Sequence, residues 1–139
     1  MSDNVSYKGQ VIEVRRTRQF DKWLRALRDR RSLLRIADRL RRFASGHAGD
    51  TKPVGDSVYE LRLAFGPGYR IYYMWRDSTL VLLLIGGDKD SQARDIAKAK
   101  ELARKADNGI EDDALRPARL YLNGRGYPFL PRSSDGRER

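Results

Sequence analysis

The segment Val58–Lys89, VYELRLAFGPGYRIYYMWRDSTLVLLLIGGDK, decides the fold of this chain of 139 residues. Through its first part, apolar and polar residues alternate with a period of two, which is typical of β-strands with one covered face. Gly66-Pro67-Gly68 and Asp77-Ser78 are turn sequences that separate three runs. The last run, from Thr79 to Ile85, is almost wholly apolar, which indicates a central strand covered on both faces. The segment therefore predicts an antiparallel meander of three strands.

Two amphipathic helices precede this meander and one helix follows it. Gln10–Arg15 is a candidate strand, Thr17 is a candidate cap for the first helix, and the second helix ends near Ala44. Residues 45–57 are rich in Gly, Ser and Asp and predict a loop. We predict an α+β domain with two N-terminal helices packed on a mostly antiparallel sheet of about four strands, and a C-terminal helix.

The composition shifts at Asp107, which divides the chain into a domain of residues 1–106 and an extension of residues 107–139. The extension contains more Gly, Pro and Ser, and Asn123-Gly124 is suited to a tight hairpin turn. Two interpretations stay open for this extension, a mobile tail and a small docked arm.

The net charge of +10 lies entirely in the first part of the chain, since residues 107–139 carry six basic and six acidic residues. Residues 15–42 alone hold 12 basic and 3 acidic residues. Such a density favours a polyanionic partner, because each neutralised phosphate releases counterions. A solvated helical surface is the alternative explanation.

Several classes of site are excluded or disfavoured by composition. The chain has no cysteine, and its one histidine, His47, lies in the predicted loop, so we expect no metal and no cofactor. The N-terminus has no apolar signal region, and no apolar run is long enough to span a bilayer. We expect a cytoplasmic protein with no membrane partner and no small-molecule cofactor.

A basic and aromatic cluster on the meander is the candidate catalytic site. In extended strands, Arg62, Arg70 and Tyr72 share the less apolar face, and Lys89 follows the last strand. Arginine holds phosphate and stabilises its developing charge, whereas tyrosine stacks on bases or moves a proton. A purely structural arrangement is the alternative, in which Tyr72 packs while Arg62 pairs with Glu60 and Lys89 pairs with Asp88 or Asp90.

Further arginines on the helices and the second strand are candidates for binding RNA. They lie on the polar helix faces or beside the cluster, and they are Arg25, Arg28, Arg35, Arg39 and Arg76.

The blocks VYELRLAFGPGYRIYYMW and LVLLLIGGDKDSQARDIAKAKEL resemble the RelE/HigB superfamily of toxins, in particular the phage Gp49-like HigB subgroup of addiction-module killer proteins. The resemblance covers about residues 11–103. It implies the compact RelE-like fold and a ribosome-dependent mRNA endonuclease, an mRNA interferase, that acts through the RNA 2′-hydroxyl without metal. It also implies a cognate antitoxin as partner.

The resemblance assigns Arg70 in GYR to the scissile phosphate, and Arg62 and Lys89 to positions where relatives carry basic residues. Tyr72 is a geometric addition to that set. Relatives place a tyrosine or histidine near Arg94 and Asp95, so the general base is open among Tyr72, Lys89 and Asp95. Two other functions stay open: a ParE-like toxin that inhibits DNA gyrase without catalysis, and a module that only binds RNA or an antitoxin.

Overall fold

The computed structural model of the chain describes residues 12–107 and the backbone of residues 116–117. Within these residues the helices and strands, in chain order, are β1 (Glu13–Arg16), α1 (Arg18–Ala26), α2 (Arg30–Ala44), β2 (Thr51–Gly55), β3 (Val58–Arg62), β4 (Arg70–Asp77), β5 (Leu80–Gly87), α3 (Gln92–Asp107) and β6 (Arg116–Pro117).

The strands form one mixed sheet with the order β2-β3-β4-β5-β1-β6. Neighbouring strands from β2 to β5 are antiparallel, β1 is parallel to β5, and β6 is antiparallel to β1. The predicted α+β class and the predicted meander, β3-β4-β5, are confirmed.

The number of strands differs from the expected four, because the sheet also contains β2 and β6. Residues 51–55 were expected in a loop, and that expectation was wrong. Pro53 lacks a backbone donor but is tolerated because β2 is an edge strand. Asp56 and Ser57, with φ of 55° and 65°, form the two-residue turn into β3, and this left-handed geometry suits the right-handed twist of a hairpin.

The two faces of the sheet are covered by different helices. α1 and α2 cover one face with side chains such as Phe20, Ile36 and Leu40. α3 covers the other face with Ala99, Leu102 and Ala103, which pack on Leu82, Leu84, Met74 and Tyr72. Because consecutive residues of β5 belong to opposite clusters, the predicted central strand covered on both faces is confirmed. The face of the meander that carries the candidate cluster is therefore partly buried beneath α3.

Thr17 caps α1 and joins it to the sheet. Its Oγ1 accepts a hydrogen bond of 3.0 Å from the backbone of Phe20 and donates one of 2.7 Å to the carbonyl of Leu84. Asp29 caps α2 by accepting hydrogen bonds from the backbone of Arg31 and the hydroxyl of Ser32.

The division into a domain of residues 1–106 and an extension of residues 107–139 stays a prediction. α3 ends at Asp107, and beyond it the described part of the chain contains only the backbone of residues 116–117. The start of the predicted strand at Gln10 and the predicted turn at Asn123-Gly124 lie outside the described residues. In the described residues, every helix is too short or too polar to cross a lipid bilayer.

Candidate functional site

Three basic residues of the predicted cluster lie at one end of the sheet. Arg62 of β3 is directly opposite Arg70 of β4, and Arg70 is directly opposite Gly87 of β5. Directly opposite residues on neighbouring strands direct their side chains to the same face. Lys89 follows β5, and its backbone N–H donates to the carbonyl of Pro67 at 3.4 Å. The structure thus places Arg62, Arg70 and Lys89 around the Gly66-Pro67-Gly68 turn.

Glu60 is the centre of a buried polar network beneath this cluster. The side chain of Glu60 is fully buried on β3. Its Oε2 accepts hydrogen bonds from the hydroxyl of Tyr72 at 3.0 Å and from Nε2 of Gln92 at 2.8 Å. Its Oε1 lies 3.5 Å from Nη1 of Arg70. One carboxylate therefore connects β3, β4 and the first turn of α3.

Arg70 is held in place but keeps donors for another ligand. Its side chain is 13% exposed, and its 3.5 Å contact with Glu60 is long for a hydrogen bond. Within the described residues, the Nε of Arg70 is buried and has no hydrogen-bond partner. Because a guanidinium has five N–H donors in a fixed fork, this arrangement can accept an anionic group such as a phosphate.

Tyr72 lies inside the core rather than at the surface. Its side chain is fully buried in the cluster that α3 covers. Burial, together with the hydrogen bond and charge of Glu60, raises the pKa of the Tyr72 hydroxyl far above its ordinary value of 10.0. The phenol is thus a neutral donor to Glu60, and this position does not suit the contact with RNA that the sequence suggested for it.

Arg62 and Lys89 do not form the ion pairs that the purely structural arrangement predicted. Arg62 pairs with Asp50, with 3.4 Å between Nε and Oδ2, whereas Glu60 pairs with Arg70. The Oδ1 of Asp88 accepts hydrogen bonds from the backbone N–H groups of Asp90 and Ser91. Lys89 is exposed and forms no ion pair with any residue in the range 12–107. Tyr72 does pack, as that alternative expected.

Gly86 and Gly87 allow close approach on opposite faces of β5. A Cβ at Gly86 would collide with the ring of Trp23 in α1, and a Cβ at Gly87 would collide with the carboxylate of Asp95. Asp95 is buried and accepts a hydrogen bond from the hydroxyl of Ser91. The absence of side chains at these glycines lets α1 and α3 reach the end of the sheet that carries Arg70.

Three residues of the site, Glu60, Gln92 and Ser91, were not predicted from the sequence, and Asp95 was predicted only as one of three candidates for the general base. The i, i+4 spacing of Ser91 and Asp95 was a usable signal, because it places both side chains on one face of a helix. The alternation in β3 also put Glu60 on the face of Arg62 and Arg70. That Glu60 is buried depends on α3, which the local pattern does not contain.

The proposed RNA-binding arginines are divided between two regions. Arg25, Arg28 and Arg35 are exposed, and the guanidinium carbon of Arg35 lies 4.3 Å from the ring centre of Phe65, near the Gly66-Pro67-Gly68 turn. Trp23 of α1 packs against Tyr69, with 6.1 Å between ring centres, so α1 also ends near that turn.

The other two arginines have different surroundings. Arg39 donates hydrogen bonds to the carbonyls of His47 and Ala48, and partial burial lowers the pKa of its guanidinium. Arg39 thus holds the loop that follows α2. Arg76 lies near the opposite end of β4 from Arg70 and pairs with Asp107 at 3.3 Å. The structure does not bring Arg76 together with the basic cluster.

Among residues 12–107, no three His, Cys, Asp or Glu side chains are grouped as a metal ion would require. His47 is exposed in the loop that follows α2.

Comparison with known proteins identifies the family of the chain. The model of the family described as phage-derived protein Gp49-like (DUF891) matches residues 22–107. An uncharacterized protein of Haemophilus influenzae is 43% identical over 95 residues, which cover 68% of this chain and 96% of the relative. No solved structure matches. The matched region contains α3, the meander and every residue of the basic cluster. The chain therefore belongs to the phage-derived Gp49-like family, the family of addiction-module toxins that its sequence resembles.

Proposed function

We propose that this protein is the toxin of a type II toxin–antitoxin module and acts as a ribosome-dependent mRNA endonuclease. Family membership fits a toxin of such a module. The catalytic part of the proposal rests on the position of Arg70. Its guanidinium contacts the carboxylate of Glu60, which is fully buried, and Arg62 lies directly opposite Arg70 on the neighbouring strand.

Two neighbouring arginines are suited to the chemistry of RNA cleavage. In this reaction the 2′-oxygen attacks the adjacent phosphorus, the bond from phosphorus to the 5′-oxygen breaks, and a 2′,3′-cyclic phosphate and a 5′-hydroxyl form. A proton leaves the 2′-hydroxyl and a proton reaches the 5′-oxygen, so the reaction needs alignment, proton transfer and charge stabilisation but no metal. Arg70 stabilises the charge that grows on the phosphate oxygens in the transition state.

In this proposal Arg62 and Lys89 bind the phosphates on either side of the scissile bond. Of the three residues considered as general base, Tyr72 and Asp95 are buried and Lys89 is exposed. We therefore assign Lys89 to direct contact with the substrate. Arg25, Arg28 and Arg35 extend the basic surface along α1 and α2 toward ribosome-bound RNA.

Glu60, Tyr72 and Gln92 act in this proposal as positioning residues. Glu60 restrains the guanidinium of Arg70, while Tyr72 and Gln92 restrain Glu60 from two elements of the fold. Restraint of this kind lowers the cost of aligning Arg70 with the phosphate. The sequence suggested Tyr72 as a catalytic residue, whereas in this proposal Tyr72 supports Glu60, which contacts Arg70.

A cognate antitoxin is the expected protein partner. The exposed arginines of α1 and α2 are suited to an acidic or amphipathic segment of that antitoxin. Such a segment neutralises the toxin if it covers the same arginines that bind RNA.

The test is induction of the wild type, Arg70→Ala and Arg70→Lys in bacteria without antitoxin, followed by mapping of the 5′ ends of cellular mRNA. We expect growth arrest and in-frame cuts for the wild type, and loss of the cuts in Arg70→Ala. Arg70→Lys keeps the charge but not the planar fork, so we expect it to restore little activity.

Arg104→Ala is the matched control, because Arg104 is an exposed arginine of α3 outside the cluster and within the matched family region. It should cut mRNA as the wild type does. Growth arrest with intact mRNA would overturn the endonuclease proposal and direct attention to DNA gyrase, which a supercoiling assay then tests. RNA binding without cleavage, in the presence of translating ribosomes, would leave only a binding module.

A further inference from the structure

Arg35 and Phe65 form a stacked pair beside the Gly66-Pro67-Gly68 turn. The guanidinium carbon of Arg35, on α2, lies over the ring of Phe65 at 4.3 Å from the ring centre, which is the geometry of a cation–π contact. Arg35 is exposed, and Phe65 is half-buried. Because one face of the guanidinium lies against the ring, the opposite face is turned away from the protein.

The charge of Arg35 is not neutralised within the described part of the chain. Among residues 12–107, no carboxylate lies within ion-pair distance of Arg35, and its side chain donates no hydrogen bond. Other arginines do have carboxylate partners, which are Asp38 for Arg41 and Arg42, Asp50 for Arg62, and Asp107 for Arg76. The flat cation of Arg35 and its N–H donors are therefore free to contact a ligand.

Phe65 is held in place by the core and by the turn itself. Its ring meets the buried ring of Tyr69 edge-on, with 5.7 Å between ring centres, and Tyr69 meets Trp23 of α1 at 6.1 Å. The carbonyl of Phe65 accepts a hydrogen bond of 3.1 Å from the backbone N–H of Gly68. A platform that is fixed in this way loses little conformational freedom when a ligand binds.

The stacked pair and the basic cluster lie on two sides of one turn. Phe65 packs on the side of the sheet that α1 and α2 cover, whereas Arg62 and Arg70 belong to the face that α3 covers. Lys89 adjoins the same turn, since a Cβ at Gly68 would lie 3.3 Å from the Cβ of Lys89. Phe65 follows Arg62 by only three residues, so their Cα atoms are at most about 11 Å apart. An RNA strand whose phosphates contact the cluster can therefore reach the stacked pair around the turn.

We propose that Arg35 and Phe65 form a subsite for one nucleobase of single-stranded RNA. The base stacks on the outer face of the Arg35 guanidinium, and Phe65 is the positioning residue that holds this guanidinium flat. Unpaired RNA bases commonly stack on arginine planes, and every base has a face that can do so. The subsite rests on the proposed function in taking RNA as the ligand, but it does not require that the RNA is cut.

The experiment measures binding of the full chain to a short single strand of RNA at low salt. The RNA carries 2′-O-methyl groups, so it cannot be cleaved through the 2′-oxygen. Each nucleotide in turn is replaced by an abasic one, which keeps the phosphate but lacks the base. We expect one position at which loss of the base weakens binding to the wild type by about 10-fold, since one base stack accounts for about 5- to 150-fold in affinity.

Arg35→Lys keeps the charge but removes the plane on which a base can stack. We expect this variant to bind the intact RNA about 10-fold more weakly than the wild type, and to bind the RNA that is abasic at that position as the wild type does. Arg104→Lys makes the same change at an exposed arginine of α3 and should bind both RNAs as the wild type does.

Substitutions of Phe65 test its positioning role. Phe65→Leu removes the ring and should weaken binding only to RNA that has the base, whereas Phe65→Trp keeps an aromatic surface and should bind as the wild type does. If Phe65→Leu merely disturbed the turn, its effect would be the same on intact and abasic RNA, and this result would contradict the subsite.

Three results would overturn the subsite. They are no measurable binding of the RNA, no position at which the base matters, and an equal loss for Arg35→Lys on intact and abasic RNA. The last result would mean that Arg35 contacts phosphate alone. Mapping of mRNA ends in cells tests the endonuclease separately. Cleavage without the base effect would remove only the subsite, and the base effect without cleavage would remove only the endonuclease.

Discussion

The hydroxyl of Tyr72 donates a hydrogen bond of 3.0 Å to Oε2 of Glu60, and both side chains are fully buried. The other oxygen of the same carboxylate faces the guanidinium of Arg70. The buried hydrogen bond between Tyr72 and Glu60 is therefore connected, through the Glu60 carboxylate, to Arg70, the residue proposed to contact RNA. Changes to the core at this point should affect both stability and activity, because they share one carboxylate.

Tyr72→Phe removes this hydroxyl and keeps the ring. We expect the free energy of unfolding to fall by about 1–2 kcal/mol, because Glu60 loses one of its donors while buried. If Arg70 is positioned through Glu60, the rate of mRNA cleavage should also fall. Chemical denaturation and 5′-end mapping measure the two effects. Tyr59→Phe is the control, since the half-buried ring of Tyr59 stacks on Tyr73 outside this network.

Glu60→Gln keeps the shape of the side chain but removes its charge. The buried network loses a charged acceptor, so we expect a loss of about 1–3 kcal/mol in the free energy of unfolding. Asp50→Asn makes the same chemical change to the exposed partner of Arg62 and should cost less than about 1 kcal/mol. Equal costs for the two substitutions, measured by denaturation in urea, would contradict the special role of Glu60.

Gly87→Ala tests the packing of α3 against β5. The added Cβ meets the carboxylate of Asp95, so we expect a loss of about 1–3 kcal/mol from overpacking. Shortening that side chain by Asp95→Ala should make the glycine substitution less costly. In a double-mutant cycle the costs of the two changes should therefore not add. Additive costs would indicate that the backbone, rather than the Asp95 contact, requires glycine.

Asp29 gives a dependence of stability on pH. Its hydrogen bond from the hydroxyl of Ser32, followed by backbone hydrogen bonds, lowers the pKa of Asp29 below its ordinary value of 3.8. A carboxyl group whose pKa is lower in the folded state stabilises the fold above its ordinary pKa, and this contribution is lost as pH falls through the lowered pKa.

Asp29→Asn removes the charge but keeps a residue that caps helices well. We therefore expect the wild type to be more stable than Asp29→Asn at neutral pH, and the difference to close as the pH falls below 3.8. Denaturation of both proteins at several pH values measures the difference. A difference that stays constant in acid would mean that titration of Asp29 does not contribute.

Local sequence patterns predicted the three strands of the meander and the face of the sheet that carries Arg62 and Arg70. The alternation in β3 and β4 placed Arg62 and Arg70 on one face, and the structure puts them directly opposite each other. The same reasoning failed for β2, because the Gly, Asp and Pro that indicate a loop are also tolerated in an edge strand beside a tight turn. It also placed Arg76 with the cluster, although the length of β4 separates Arg76 from Arg70.

By itself, the sequence determined the meander, the two amphipathic helices and the side of the sheet on which the residues of β3 and β4 lie, because these depend on periods of two and 3.6 residues within short segments. Only the tertiary structure decided that α3 covers the face of Tyr72 and Glu60, since that contact joins segments about 30 residues apart. The same packing buries Tyr72, which the sequence had suggested as an RNA-contacting residue, and it covers the Glu60 carboxylate that contacts Arg70. Burial depends on what packs above a residue, and no local period contains that information.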